Sequence, residues 1–556
     1  MGEEPFLDFG RRAAGACFPV PPVRHFRRPE ENTQGDLRDG RTTLLLGGLT
    51  ARHDRLIAAA LRSLGYRARP IPVPTKSDYQ AGREYGNNGQ CNPTYFTVGA
   101  LVNYLKHLRD DVGLSAQDII RDYAFATVGS CGPCRFGMYE AEYRLALQNA
   151  GFDGFRVFVV HQVHQYSGQE GQGGLEVSPR FYATLLNAVI AGDLLTMLRY
   201  QLAPYETRPG MVEEAVELCV RVCEEALRAG EPLVRAGRLR AVRDSDWPHV
   251  LAALRGRNIR AALKQCRRII EERVEVDFLR PKPVVKITGE FWAQTTEGDG
   301  NFRMFSFLEQ EGAEVLVEPV STWIDYTLHM AQVRENDARK TAKLEPTLAA
   351  RMKRRARARV KMWVLKGVQR LFQRAFEARR QALGGTTPKL ASQLQLQRMG
   401  HPYYNSRCGG GEGHLEVAKN IYYTLNGLAH MVLSLKPFGC MPSTQSDGAQ
   451  AAVMARYPDM TFLPIETSGE GDINAHSRVQ MALGEAQAKC RAEFDEALKR
   501  AGLTAQAARA FIERRPELRR PLQRFSADGE HVGRAARFVR HLARLGAASA
   551  ERGGGS

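Results

Sequence analysis

The stretches that decide the fold are Thr42-Thr-Leu-Leu-Leu-Gly-Gly-Leu49 and Tyr66-Arg-Ala-Arg-Pro-Ile-Pro-Val73. Each is short, rich in apolar residues and closed by Gly or Pro, which predicts a buried strand. Between them, Asp54 to Leu64 repeats apolar residues at helical spacing. A strand, a helix and a second strand in this order predict a right-handed β-α-β unit and a parallel sheet.

The same rhythm continues along the chain in two halves. In the first half we expect further strands at 124–128 and 155–160, with helices at 96–108 and 138–150. The second half begins at Lys282-Pro-Val-Val-Lys-Ile-Thr288 and repeats the alternation as far as the helix 474–490. The predicted fold class is therefore α/β, with two Rossmann-like parallel-sheet halves and helical insertions.

These patterns divide the chain into five segments. Residues 1–40 predict an irregular leader, 41–180 the first α/β domain and 181–280 a helical segment. The second α/β domain, 281–493, contains a basic helical hairpin inserted at about 325–385, and an Arg-rich helical tail follows at 494–556.

The bulk composition is that of an ordinary soluble protein. The chain has 556 residues, of which 43% are apolar and 25% charged, so more than one domain is expected. We find no run of about eighteen uncharged apolar residues, so no membrane span is expected, and the start of the sequence has no signal-peptide pattern. Ten cysteines without an export signal predict reduced thiols and a cytoplasmic location.

The net charge of +17 is concentrated in one segment. Residues 340–380 contain fourteen Lys/Arg against two Glu, and Val360, Val364, Val368, Leu371 and Ala375 recur there at helical spacing. One interpretation is a contact for an acidic partner or an RNA backbone. The other, which we favour, is a long solvated helix whose apolar seam packs underneath.

Four cysteines lie in loops that contain Gly and Pro. They occur in Gly86-Asn-Asn-Gly-Gln-Cys91-Asn-Pro, in Gly129-Ser-Cys131-Gly-Pro-Cys134 and in Lys436-Pro-Phe-Gly-Cys440-Met-Pro. Gly and Pro keep the backbone irregular and let it approach a ligand closely. Soft thiolates gathered from loops typically hold an iron–sulfur cluster or a zinc ion.

A zinc site and a redox dithiol fit these cysteines less well. Zinc sites usually pair two Cys-x2-Cys knuckles, or one knuckle with two histidines, and this chain has one such knuckle with only His161 and His164 nearby. A thioredoxin-like dithiol at Cys131 and Cys134 should open a helix soon after the first strand of a small domain. Cys219, Cys223 and Cys266 lie in amphipathic helical sequence and are expected to be core thiols.

The order of these motifs resembles the 2-hydroxyacyl-CoA dehydratase component family, and most of all its activase-related branch. The resemblance spans roughly residues 42–493. It is carried by the cysteine loops, by Gly289-Glu-Phe-Trp292 with Gly298-Asp-Gly-Asn-Phe302, and by Phe462-Leu-Pro-Ile-Glu-Thr467.

The resemblance implies a [4Fe–4S] cluster held between the two Rossmann-like halves. Cys91, Cys131 and Cys440 match the family's cluster cysteines in order and context, and Cys134 is a fourth candidate ligand. Where a cluster iron is left without cysteine, the family's dehydratase components bind substrate. If Cys134 closes that position, the chain carries electrons and does not itself dehydrate.

The implied partner is an ATP-dependent activase of the actin-like kind, as a separate subunit or domain. The sequence contains neither that ATPase's phosphate loop nor a Gly-x4-Gly-Lys-Ser/Thr motif. An acyl-CoA is a candidate ligand, a homo- or heterodimer is compatible with the resemblance, and no membrane partner is expected. Two alternatives stay open: a non-enzymatic accessory iron–sulfur module, and a nucleic-acid-associated protein that uses the basic helix.

Overall fold

The computed structural model describes residues 37–38, 40–129, 134–161, 175–232, 247–409, 411–525 and 530–553. In these ranges the chain contains two four-stranded, all-parallel sheets surrounded by helices, so the predicted α/β class with two Rossmann-like halves is confirmed. Most of the predicted leader lies outside the described residues.

The first sheet has the strand order β2-β1-β3-β4. Its strands are β1 (Thr43–Leu46), β2 (Arg67–Pro70), β3 (Tyr123–Gly129) and β4 (Arg156–His161). Its helices are α1 (Ala51–Ser63), α2 (Lys76–Tyr85), α3 (Asn92–Asp110), α4 (Ala116–Asp122) and α5 (Tyr139–Asn149). Leu45 packs on one face of the sheet, and Leu44 and Leu46 on the other, as the strand period of two requires.

The helical segment between the two sheets contains α6 (Pro179–Leu202), α7 (Met211–Ala229), α8 (Trp247–Arg255) and α9 (Arg257–Arg273). Cys219, Cys223 and Cys266 are buried in its core, and the sulfurs of Cys223 and Cys266 lie 3.8 Å apart. These thiols are thus core residues of packed helices, distant in the chain from the cysteine loops.

One helical stretch, Pro179–Tyr205, is long and apolar enough to cross a membrane by length and composition. In its most apolar window, 72% is buried inside the structure. Most of its apolar surface therefore packs against the rest of the protein, as in a helix of a protein core.

The second sheet has the equivalent order, β6-β5-β7-β8. Its strands are β5 (Val284–Gly289), β6 (Glu314–Leu316), β7 (Met431–Pro437) and β8 (Phe462–Thr467). The helices of this half are α10 (Phe291–Thr295), α11 (Met304–Gln310), α12 (Val320–Thr341), α13 (Leu348–Ala382), α14 (Gln393–Gly400), α15 (Gly413–Leu425), α16 (Met441–Arg456) and α17 (Asp472–Ala501).

In both sheets the chain leaves the two central strands in opposite directions. β1 and β3 are neighbours in the first sheet, and β5 and β7 in the second. Such a reversal of strand order opens a crevice at the carboxyl ends of the strands, where open α/β sheets bind ligands. Gly129 ends β3, Gly289 ends β5 and Pro437 ends β7. The predicted cysteine loops after β3 and β7 therefore start at these crevices.

The basic hairpin consists of α12 and α13. The buried side of α13 contains Ala358, Phe372 and Phe376, and the helix packs on α12 and on the helical segment. The apolar seam that the sequence predicted to pack underneath, from Val360 to Leu371, is instead exposed, and only its last member, Ala375, is buried. The prediction failed because two apolar rows run along this helix, and only the row containing Ala358 and Phe372 is buried.

The C-terminal part joins the second half. α17 runs without a break through the boundary expected at 493/494, and it is followed by α18 (Ala505–Glu513) and α19 (Arg534–Gly553). Phe538 and Val539 of α19 are buried in the same core as α17 and β5. The beginning of the Arg-rich segment is thus a continuation of the second domain's last helix.

Arg379 ties the hairpin to the helical segment. Its fully buried guanidinium donates to Asn187 Oδ1 on α6 at 3.0 Å and to the carbonyl oxygens of Ala253 (2.8 Å) and Ala375 (2.8 Å). Burial lowers the pKa of Arg379 to about 10.

We expect Arg379→Met to lower the free energy of unfolding by about 2–4 kcal/mol, because it leaves buried oxygens without donors. Urea unfolding followed by circular dichroism measures the change. Arg374→Met, on the exposed side of the same helix, should change stability by less than about 0.5 kcal/mol. Equal effects of the two changes would contradict the structural role of Arg379.

Candidate metal centre at the carboxyl ends of the strands

Cys91 is the N-cap of α3, the residue immediately before its first turn. It has an extended backbone (φ −74°, ψ 152°) and is followed by Pro93 in the first turn, so the chain changes abruptly from loop to helix at the thiol. Its sulfur is buried and lies 3.0 Å from the Tyr139 hydroxyl and 3.2 Å from Thr94 Oγ1. The thiol is therefore held by two hydroxyl groups at a helix N-terminus.

Cys440 begins α16 in the same way, with Pro442 in the first helical turn. Its loop directly contacts that of Cys91, because the backbone N–H of Asn92 donates to the carbonyl of Phe438 at 3.0 Å. Between them, Gly439 has φ +77°, and a Cβ at this position would lie 3.4 Å from the Cα of Cys91. The two α/β halves therefore meet at these two cysteines.

Cys134 lies in the same region. The guanidinium of its neighbour Arg135 donates to the carbonyl of Gly89 in the Cys91 loop. On the other side, a Cβ at Gly411 would lie 3.7 Å from Cβ of Cys134 and only 2.4 Å from Pro442. Cys134 is thus placed between the Cys91 loop and the start of α16.

The remaining candidate ligands do not join these three thiols in the described part of the chain. Cys131 lies outside the described residues, as do His164 and the side chain of His161. Cys408 is exposed. In the ranges that the structure describes, no three His, Cys, Asp or Glu side chains form a group that could hold a metal ion. Cys91, Cys134 and Cys440 are therefore neighbours, but among the described residues their side chains do not form a complete ligand set.

Glu290 lies near all three thiols and was not identified from the sequence as a site residue. It directly follows β5, and its carboxylate accepts the backbone N–H of Ala293 at 3.0 Å, which caps α10. Burial raises the pKa of Glu290 to about 7, and the nearby carboxylates of Glu412 and Glu416 add to this. The site therefore contains a carboxyl group that is readily neutral or ionised near pH 7.

Glu412 and Glu416 come from the start of α15 and are both buried. Glu412 accepts from Gln294 Nε2 at 2.8 Å and lies 3.3 Å from Lys419 Nζ. Glu416 accepts from the Ser443 hydroxyl of α16 at 2.7 Å. Lys436 Nζ lies 3.8 Å from Glu416, so hydrogen bonds and two lysines fix these carboxylates near the thiols.

Burial and these acids oppose ionisation of the thiols. A helix N-terminus favours a thiolate, but at these positions burial outweighs that effect. Burial raises the pKa of Cys91, and it raises the pKa of Cys134 to about 11. The pKa of Cys440 is raised by burial and by the charges of Glu290 and Glu416. The protein alone thus disfavours thiolates here, and a bound cation would remove this cost.

The residues fit an iron–sulfur cluster on chemical grounds. The donors are soft thiols from both halves, which are the ligands that iron–sulfur clusters use. The Nδ2 of Asn92, next to Cys91, is buried and has no hydrogen-bond acceptor among the described residues. Such an amide is a donor available to a sulfur ligand.

Sequence reasoning named the cysteines but assigned no role to the acids. Gly289-Glu-Phe-Trp292 directly follows a buried strand, which marks Glu290 as a residue at the carboxyl edge of the sheet. Glu412 and Glu416 are four residues apart at a helix start, so they lie on one face. Only the fold shows that both features lie beside the same thiols.

No protein-family model matches this chain, and a search of curated proteins finds no match to it.

The closeness of the Cys91 and Cys440 loops depends on Gly439. We expect Gly439→Ala to lower stability by about 1–2 kcal/mol, since φ is positive and the added Cβ would lie 3.2 Å from the Gln90 carbonyl. The midpoint temperature of thermal unfolding and the iron content after anaerobic reconstitution should both fall. Gly448→Ala, inside α16 with open space at its Cβ, should keep the iron content and raise stability by up to about 1 kcal/mol. Unchanged iron binding in Gly439→Ala would contradict this role.

Proposed function

We propose that this protein is an iron–sulfur redox protein of the 2-hydroxyacyl-CoA dehydratase type. It holds a [4Fe–4S] cluster through Cys91, Cys131, Cys134 and Cys440 and exchanges a low-potential electron with an ATP-dependent activase in the cytoplasm. The observation that supports this most is the contact between the Cys91 and Cys440 loops. These loops come from different α/β halves, and they meet beside Cys134 and three glutamates.

The chain's own residues would act by holding and tuning the group. The four thiols would bind it, and the bound cluster would supply one electron at low potential. The hydroxyls of Tyr139 and Thr94 lie within hydrogen-bond distance of the Cys91 sulfur, and such hydrogen bonds to sulfur raise a cluster's potential. Burial of Cys91 and Cys440 acts in the opposite direction.

Glu290 is suited to hold or move a proton beside the thiols. A carboxyl group with a pKa near 7 can donate or accept at neutral pH. Dehydration of a 2-hydroxyacyl-CoA releases hydroxide, which needs a proton donor. Whether this step takes place on the chain depends on Cys134, because a thiolate at the fourth iron would leave no position for a substrate hydroxyl.

Single Cys→Ala changes at Cys91, Cys131, Cys134 and Cys440 should each lose or degrade the visible absorption of the anaerobically purified protein. Iron and sulfide analysis, with EPR of the reduced protein, measures this loss. The same change at Cys219, Cys223 or Cys266 should leave iron and sulfide unchanged, since those thiols belong to the helical core. Full iron content in all four loop variants would overturn the proposed function.

The basic helix α13 is proposed to steer the activase. Reversal of Lys353, Arg357 and Arg359 to Glu, all exposed, should slow electron delivery from an ATP-driven activase at low salt, because opposite charges raise the encounter rate. Stopped-flow reduction measures the rate, and the defect should shrink near physiological salt, where the Debye length is about 8 Å. Reversal of Lys264, Arg267 and Arg268 on α9 changes net charge equally and serves as control. Equal rates in both variants would contradict steering by α13.

A further inference from the structure

The outward side of α13 carries exposed apolar side chains, which we call the apolar stripe. Trp363 is 79% exposed, Met352 64% and Val360 63%. Its members, at spacings of one, three, four or eight residues, are Met352, Val360, Trp363, Val364, Val368 and Leu371. Lys353 and Arg357 separate Met352 from the other five side chains, which lie close together on the helix surface. An exposed apolar patch of this kind on a charged helix marks an interaction site.

The stripe is not the packing face of the helix. The opposite side of the helix is buried and contains Ala358, Phe372 and Phe376. On that side Gln369 donates to Asp325 Oδ1 of α12 at 2.9 Å. The helix is therefore already fixed to the rest of the protein. The exposed apolar side chains are additional to those that the fold needs.

The shape of the stripe suits a helix. From Met352 to Leu371 it extends about 28 Å along a single straight element, which is about five helical turns. A Cβ placed on Gly367 would have no atom within 4 Å, so the surface beside the stripe is open. Three of the six stripe residues are valines, which keep the surface shallow. Small and β-branched side chains let the ridge of a second helix approach closely.

The charge around the stripe specifies the occupant. At 100° per residue, exposed Arg359, Lys366 and Arg370 lie along one border. Exposed Arg354 and Lys361, each paired with a glutamate, lie along the other. The segment 340–380 has fourteen basic and two acidic residues. A complementary surface is therefore apolar in the middle and acidic on both borders.

This charge excludes other occupants. A second copy of the chain would bring an equally basic helix against α13. Residues 1–36, outside the described ranges, carry six acidic residues and five arginines and so provide almost no net negative charge. Phosphate groups of a nucleic acid would match the borders but would leave the central Trp363 and valines without a partner.

We infer that the apolar stripe of α13 is a docking surface for an acidic amphipathic helix of a protein partner. Leucines of that helix lie over Val360, Trp363 and Val364, and its glutamates or aspartates pair with the basic borders. This docking requires no cluster and holds whether or not the chain binds iron.

The test uses the full-length protein and two labelled helical peptides of about 21 residues. Both carry leucine at every third or fourth position, and their flanking residues are glutamate in one peptide and lysine in the other. Fluorescence anisotropy at low salt should show binding of the glutamate peptide only. Trp363→Ala and the double change Lys366→Glu/Arg370→Glu should each weaken binding at least about tenfold.

Trp247→Ala is the matched control, because Trp247 is an exposed tryptophan on α8 and does not belong to the stripe. It should leave the affinity unchanged, and circular dichroism should show all variants folded. The inference is overturned if both peptides bind equally, if neither binds, or if binding survives Trp363→Ala. It is also overturned if phosphatidylserine vesicles or a DNA duplex bind in a Trp363-dependent way while the glutamate peptide does not.

Discussion

Parallel strand pairing is the constraint on which this structure depends. Every connection between parallel strands must cross back over the sheet, so the loops that follow the strands collect at one edge. In both sheets the connections that follow the two central strands leave that edge in opposite directions, and a crevice opens between them. The hydrogen bond from Asn92 to Phe438 joins a loop of the first half to the loop after β7. Residues far apart in the chain thereby become neighbours.

The electrostatics of the site follow from this meeting. Burial alone makes a thiolate costly, and the fold adds Glu290, Glu412 and Glu416 around the same thiols. Lys419 lies 3.3 Å from Glu412 and Lys436 lies 3.8 Å from Glu416, so each lysine offsets part of the charge of its carboxylate. The arrangement is unfavourable for free thiolates, and a metal bound to the thiols would remove that cost, which is the physical basis of the proposed cluster.

The long basic helix shows how one element serves two surfaces. Its inner side packs on α12 and, through Arg379, on the helical segment. Its outer side leaves Trp363 and its apolar neighbours in solvent between basic borders. For the partner helix that we propose, charge would speed the encounter, whereas the apolar stripe would slow its release. A surface with both properties is more selective than one that relies on charge alone.

The sequence by itself determined the β-α-β rhythm, the two α/β halves and the position of cysteines at loop-to-helix junctions. Each of these follows from local signals: apolar runs closed by Gly or Pro, and apolar residues at helical spacing. It did not indicate Glu290, Glu412 and Glu416, because their importance lies in contacts with thiols from other segments. It also misassigned the seam Val360 to Leu371, since periodicity shows that a helix has an apolar row and not which row finds a partner. Those contacts, and the continuation of α17 past residue 493, are long-range packing, and only the tertiary structure decided them.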